Sequence, residues 1–128
     1  MQHLEIRETK TKGRGVFAAK DFTPGEIIET CPVIELPEQD VGHIDKTKLY
    51  DYYFGWGTSL KGAAMALGYG SLYNHSYEPN AQYEKDFERN VVIFTCLRPI
   101  KKDEEITVNY NGNPYSKTPV WFEVSNQE

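Results

Sequence analysis

One stretch gathers the chain's most chemically capable residues: Gly68-Tyr69-Gly70-Ser71-Leu72-Tyr73-Asn74-His75-Ser76-Tyr77-Glu78-Pro79-Asn80. Ser71 to Tyr73 has room for one short helical turn. Pro79 ends any helix, since it has no N–H to donate and biases Glu78 towards extended geometry. Asn74 and His75 then fall at the end of that turn, flanked by Leu72, Tyr73 and Tyr77, and are expected to be partly buried. A buried Asn or His must find hydrogen-bond partners. Two roles satisfy that demand: an internal polar clamp that fixes the loop, or an Asn74 amide reserved for a zwitterionic ligand. Taken alone, the stretch favours the clamp.

Two further segments carry candidate chemistry. In Thr11-Lys12-Gly13-Arg14-Gly15-Val16-Phe17 a glycine stands on each side of Arg14. This is a plain hairpin turn, or a place where missing side chains let the backbone approach a ligand closely; spacing alone favours the plain turn. Near the other end, Glu104-Glu105-Ile106-Thr107-Val108-Asn109-Tyr110 reads as a strand with Ile106 and Val108 on one face. By itself Tyr110 is a core tyrosine with a satisfied hydroxyl.

The elements that must position these residues are short and mostly extended. Leu4 to Glu8 alternates as a strand, and Val16 to Ala19 is the next. Asp21 to Glu26 holds Pro and Gly in type II turn order. Ile27 to Ile34 is β-rich, with Pro32 marking a strand end or an edge. Leu36 to Asp45 is polar and reads as a loop. Asp45 to Phe54 suits a helix or a strand, since Leu49, Tyr52 and Tyr53 share a helical face while aromatics suit a sheet. Gly55 to Ser59 reads as a loop, and Ala63 to Leu67 as a buried strand. Ala81 to Phe87 and Val91 to Leu97 form an antiparallel pair turned by Glu88-Arg89-Asn90. Tyr115 to Val124 carries Tyr115, Trp121 and Phe122, too aromatic for a solvated tail. Frequent Gly and Pro between short strands give a mostly-β fold.

Bulk properties narrow the function. A chain of 128 residues forms one domain with an ordinary core. No apolar run reaches the length of a membrane span, and the N-terminus is no signal peptide, so a cytoplasmic protein is the default expectation. Cys31 and Cys96 lack CxxC spacing and read as buried free thiols. His3, His43 and His75 are scattered, which gives no case for a metal. A net charge of −5 argues against non-specific nucleic-acid binding and suits a cationic ligand or a Lys/Arg-rich peptide.

The three candidate segments, in this order and spacing, resemble the SET-domain protein lysine methyltransferases. That family's signatures are a GxG turn, an N-H-(S/C)-x-x-P-N run and an E-E-(I/L)-T-x-x-Y strand. The likeness covers nearly the whole chain. Its size, with Asp51-Tyr52-Tyr53-Phe54 and Ala64-Met65-Ala66-Leu67-Gly68, is similar to the minimal SET proteins of large DNA viruses and some bacteria. The resemblance implies a β-clip-like fold of small curved sheets, 1–128 as a single domain, with the last motif threaded through a loop near Asn74-His75 as a pseudoknot. Asp40-Leu67 would be the variable insert and Tyr115-Glu128 a C-terminal lid. It implies S-adenosylmethionine (SAM) as cofactor, no metal, and methyl transfer to a lysine ε-amine of a protein, such as a histone tail. Gly13, Arg14 and Gly15 would meet the methionine part of SAM, Asn74 its amino end, and the His75 backbone its adenine. Tyr110 would be the active-site tyrosine, with Tyr52 as a second channel aromatic. Tyr115, or its rival Trp121, would stack on adenine. The viral relatives imply a homodimer, and a virus-borne protein would work in a host nucleus.

The chemistry such a site needs follows from the reaction. Methyl transfer from a sulfonium to an amine is an in-line displacement, so alignment matters more than acid–base help. The amine must be neutral, yet a free lysine has a pKa of about 10.4. A narrow aromatic channel and a neighbouring sulfonium both disfavour the ammonium form. Tyr52, Tyr53, Tyr69, Tyr73 and Tyr110 are the candidate walls. Asn109 stands where many members of the family have Asp, and Val108 where Phe or Tyr often influences the number of methyls added. The zinc-binding cysteine flanks of many members are missing, so Tyr115 to Phe122 or a second subunit must supply the C-terminal wall. The alternative is a non-catalytic SET-like module that binds a basic peptide. Other chemistry by the tyrosines lacks a Cys/His pair or a phosphate loop to support it.

Overall fold

A computed structural model describes residues 3–120, and its strands form two sheets. The first opens with the hairpin of β1 (Leu4–Glu8) and β2 (Arg14–Ala18), in register from Leu4↔Ala18 to Glu8↔Arg14. Its turn closes where the Thr9 N–H donates to the Gly13 carbonyl at 2.7 Å. Gly13 takes φ +72°, a left-handed conformation that glycine adopts without penalty. Leu4, Val16 and Ala18 face the core.

Ten residues, Ile27–Leu36, form β3, the spine of the second sheet. Its first half pairs with β8 (Val91–Cys96) and its second half with β5 (Gly62–Ala66). Pro32 therefore sits inside the strand, not at its end. The β8 ladder stops at Pro32↔Val91 and the β5 ladder starts at Val33↔Ala66, so the missing N–H falls at the changeover. Edge strands β4 (Phe54–Trp56) and β7 (Ala81–Asp86) complete the order β4-β5-β3-β8-β7. The β7–β8 hairpin matches the expectation from sequence.

Three local expectations give way. The polar segment after Leu36 is not all loop: Glu38–Ile44 forms helix α1, with Glu38 and Asp40 in its first turn and Ile44 buried. Acidic residues there complement the helix dipole, and one apolar anchor is enough to dock so short a helix. The ambiguous segment that follows divides. Lys48–Asp51 is a 3-10 helix capped by the Thr47 side chain, and the chain then extends into β4. Gly55-Trp56 is thus strand, because Trp56 is buried, at 2% exposure, edge-on to Phe87. Finally, Ser71 to Tyr73 is not helical. The turn closes earlier, by Leu72 N–H to the Tyr69 carbonyl, and Asn74–His75 is itself a strand, β6.

The fold places the site through β9 (Glu105–Val108), which lies between β2 and β6 in the order β1-β2-β9-β6. It pairs antiparallel with β2 (Val16↔Ile106) and parallel with β6 (Asn74↔Thr107, His75↔Val108). Asn80 pins it: its Nδ2 donates to the Glu105 carbonyl at 2.8 Å, and its Oδ1 accepts from the Thr107 N–H at 2.9 Å. Ile106 and Val108 are buried in the core with Phe94 and Tyr73, whose rings stack at 4.2 Å. Each such side chain stabilises the fold by roughly 1.5–3 kcal/mol. Segments distant in sequence, the Gly13 turn, Asn74-His75 and the end of β9, are thereby held side by side.

Candidate active site

Where β2, β6 and β9 meet, Gly15 is buried under polar side chains. The Asn74 Nδ2 donates to the Arg14 carbonyl at 3.0 Å and to the Glu105 carboxylate at 2.8 Å. A methyl group at Gly15 would lie 2.8 Å from that Nδ2 and would press on the Glu105 carboxylate as well. So the two glycines of the turn differ in purpose. Gly13 supplies a left-handed turn, and Gly15 supplies close approach. The plain-turn reading holds at Gly13, while at Gly15 the space of a side chain is taken by the Asn74 amide and the Glu105 carboxylate.

This cradle fits an α-amino-acid group. The Arg14 carbonyl, the Asn74 side-chain oxygen and the Glu105 carboxylate are groups able to accept from an ammonium. Lys12, whose Nζ lies 3.6 Å from Glu105, is a cation for a carboxylate. The residues the sequence assigned to the methionine end of SAM, Gly13, Arg14, Gly15 and Asn74, are therefore gathered in one place.

His75 is 3% exposed, and its ring acts inward. Its Nδ1 accepts from the Tyr110 N–H at 3.0 Å, and the ring stands edge-on to Tyr77 with centroids 4.5 Å apart. The imidazole thus fixes the backbone on which Tyr110 is mounted. Tyr110 itself lies beyond the end of β9, where Asn109, buried at 2% exposure, binds the Asn111 N–H and the Ser116 carbonyl. Asn109 holds the turn together as a neutral amide, acting as donor and acceptor at once.

Behind this turn lies a cavity of about 180 Å³ whose walls include Tyr52, Tyr53, Phe54, Tyr73, Tyr83 and Tyr110. The Tyr110 hydroxyl donates to the Tyr73 backbone carbonyl at 2.6 Å. In turn the Tyr73 hydroxyl donates to buried Glu29 at 2.7 Å, and Glu29 also accepts from the Tyr69 N–H at 3.0 Å. Burial and the Glu29 charge push the Tyr73 hydroxyl up, so it remains a neutral donor. Val108 adds an aliphatic wall.

Of the five tyrosines expected as walls, four line this cavity and Tyr69 does not. The Tyr69 ring packs on the core, and its N–H donates to Glu29. Tyr83 was not foreseen. Its hydroxyl donates to the Tyr110 carbonyl at 3.2 Å, its ring stands edge-on to Phe54, and burial pushes its pKa up to about 12. Strand alternation was the available signal: Ala81 is buried and Tyr83 shares its face. Glu29 and Lys85 also escaped sequence reading. Lys85 lines the cavity and donates to the Gly55 carbonyl at 2.9 Å, and burial lowers its pKa. Tyr115 is 69% exposed, while Trp121 and Phe122, with the rest of the expected lid beyond Val120, lie outside the described residues.

A family model for the SET domain matches residues 13–111. Over 121 residues the chain is 36% identical to the histone-lysine N-methyltransferase, H3 lysine-37 specific, of Schizosaccharomyces pombe, covering 94% of this chain and 77% of that relative. Among solved structures, a candidate histone methyltransferase of Plasmodium falciparum aligns with a TM-score of 0.69 at 33% identity, over 84% of this chain and 92% of that one. A chain of the ctPRC2 assembly aligns with a TM-score of 0.70 at 18% identity, over 84% of this chain and 14% of its own length, a likeness of fold.

Proposed function

The chain belongs to the SET-domain family, and from that premise we propose that it is a SAM-dependent protein-lysine N-methyltransferase acting on a histone tail. The observation that carries the reading is the placement of Tyr110. Its backbone N–H is held by His75, beside the Asn74–Gly15 cradle, and its hydroxyl is held at the wall of an aromatic cavity. The placement of β9 between β2 and β6 supports the threaded arrangement expected of the family.

Bound SAM supplies a methyl group on a sulfonium, an electrophile that needs no metal. The protein's share is alignment and desolvation. The tyrosine and phenylalanine walls strip water from an entering lysine side chain and so favour its neutral amine. Tyr110, its proton committed to the Tyr73 carbonyl, turns its hydroxyl oxygen into an acceptor that can orient the amine. Restricting the amine to one approach removes orientational freedom ahead of the reaction, the larger part of what such a site contributes. The net charge of −5 favours approach of a Lys/Arg-rich tail.

Isothermal titration of SAM and of S-adenosylhomocysteine tests the reading. Saturable binding of both, lost in Asn74→Ala, is the expected result. Basic-peptide binding by a folded protein that takes neither nucleoside would instead favour the non-catalytic module.

A further inference from the structure

Of the described residues that line the tyrosine cavity, Lys85 alone carries a positive charge. It shares a face of β7 with Tyr83, and both stand on the cavity wall with Tyr110. Its Nζ donates to the Gly55 carbonyl at 2.9 Å, and Gly55 belongs to the same wall. None of the ion pairs among the described residues includes Lys85. The groups around it leave its charge standing. Asp51, at the end of the 3-10 helix, is the carboxylate of the wall and forms no ion pair with Lys85. Burial pushes both Tyr53 and Tyr83 up to about 12, with the Asp45 contact adding to the effect at Tyr53. Tyr73 is pushed up as well, and Tyr52 and Tyr110 complete the ring of hydroxyls. Lys85 also borders a recess at the β7–β8 turn. There Asp86 is paired with Arg89, and neither Glu84 nor Glu88 forms an ion pair with Lys85.

A lysine side chain that enters this cavity brings a second amine beside the first. A cavity of about 180 Å³ holds a single side chain, so the entering amine lies close to every wall. Two like charges in one partly desolvated site disfavour each other, and the pair releases a proton more readily than either amine alone. The Gly55 carbonyl favours the charged form of Lys85, so the entering amine is the one that gives up its proton. We propose that Lys85 is an electrostatic residue of the methyl-transfer site, its ammonium holding the substrate lysine in the neutral form that attacks. The proton passes to solvent before the nitrogen lone pair is used. This inference rests on the methyltransferase reading above and extends it to a residue to which that reading gives no role. The aromatic walls act by excluding water; Lys85 adds a fixed charge of the opposing sign to proton retention.

The test is the pH dependence of single-turnover methyl transfer to recombinant core histones, with protein and methyl-deuterated SAM in excess. Under those conditions the rate reports the ionisation of the bound complex. Lys85→Met keeps the reach of the side chain and removes the charge, and Lys85→Arg keeps a charge at every pH of the series. Asp51 and the tyrosines are common to all three proteins, so differences between them report Lys85. In wild type the rate should rise with pH to a plateau. In Lys85→Met the midpoint of that rise should move to higher pH by about one unit. Its rate should then be about tenfold lower near neutral pH and equal to wild type on the alkaline plateau. Lys85→Arg should keep the wild-type midpoint. A midpoint unmoved in Lys85→Met overturns the inference and leaves the methyltransferase reading standing. So does an equal loss of rate at every pH, or the same displacement in both variants, since packing and not charge is then the cause. A folded wild type that transfers no methyl at any pH overturns the methyltransferase reading, and this inference with it.

Discussion

The Tyr110 hydroxyl donates to the backbone carbonyl of Tyr73 at 2.6 Å, a contact that joins the end of β9 to the residue just before β6. Tyr73 is in turn anchored through its own hydroxyl to Glu29 on β3. The orientation of the candidate catalytic tyrosine is therefore set by a chain of bonds that spans both sheets.

Removing the hydroxyl at the head of this chain separates chemistry from folding. Tyr110→Phe keeps the ring and the wall. Methyl transfer should fall by about a hundredfold or more, the scale on which misalignment acts. Unfolding free energy should drop by only about 1 kcal/mol. Mass-spectrometric turnover and urea titration of the same preparations check the two halves.

At the other end of the chain, Glu29 carries a structural load. Glu29→Ala leaves the Tyr73 hydroxyl and the Tyr69 N–H without their acceptor in the core. Unsatisfied buried donors cost about 1–3 kcal/mol each. The double variant Glu29→Ala, Tyr73→Phe should recover part of that loss. A double-mutant cycle in urea reads the coupling; additive losses would show that the two side chains act separately.

Gly15→Ala should weaken both binding and stability. The added methyl forces the Asn74 amide and the Glu105 carboxylate apart, and such overpacking costs about 1–3 kcal/mol. The group displaced is the cradle itself, so affinity for S-adenosylhomocysteine should fall by about tenfold or more. Calorimetry beside a thermal melt compares the two effects.

Asn80→Ala should loosen β9. Its amide serves the Glu105 carbonyl and the Thr107 N–H in place of a ladder partner. Loss of both bonds should lower stability by about 2 kcal/mol. Chemical denaturation measures it, and hydrogen exchange should show the Thr107 amide among the most deprotected.

Lys85 links the cavity to pH. Burial lowers its pKa in the folded state, so between that value and its ordinary one the unfolded chain binds more protons. Stability from this group should therefore rise with pH across that window. Comparing wild type with Lys85→Met from neutral to alkaline pH, the difference should shift in favour of wild type as pH rises. A difference that stays flat would contradict the burial argument.

The fold class was legible in the sequence, and so was the order of the motifs that meet at the candidate site. Asn74, Gly15 and Tyr110 belong to short motifs whose order survives any arrangement of the intervening elements. Their local structure was harder to read: His75 was expected at the end of a helical turn and is a strand, because its partner Val108 is distant in sequence. The same cause hid Glu29 and Tyr83, whose importance depends on which side chain they meet across the sheets. Helix α1 was missed because seven residues with one buried apolar anchor give no periodic pattern. Pro32 misled because a proline inside a strand is tolerated when the neighbouring strands change at that residue.

The central claim is best tested by incubating the purified protein with methyl-deuterated SAM and recombinant core histones, followed by peptide mass spectrometry. Labelled methyl on a lysine with wild type, and none with a folded Tyr110→Phe, is the predicted result. No labelled lysine from a folded wild type, or equal labelling by Tyr110→Phe, would contradict the account.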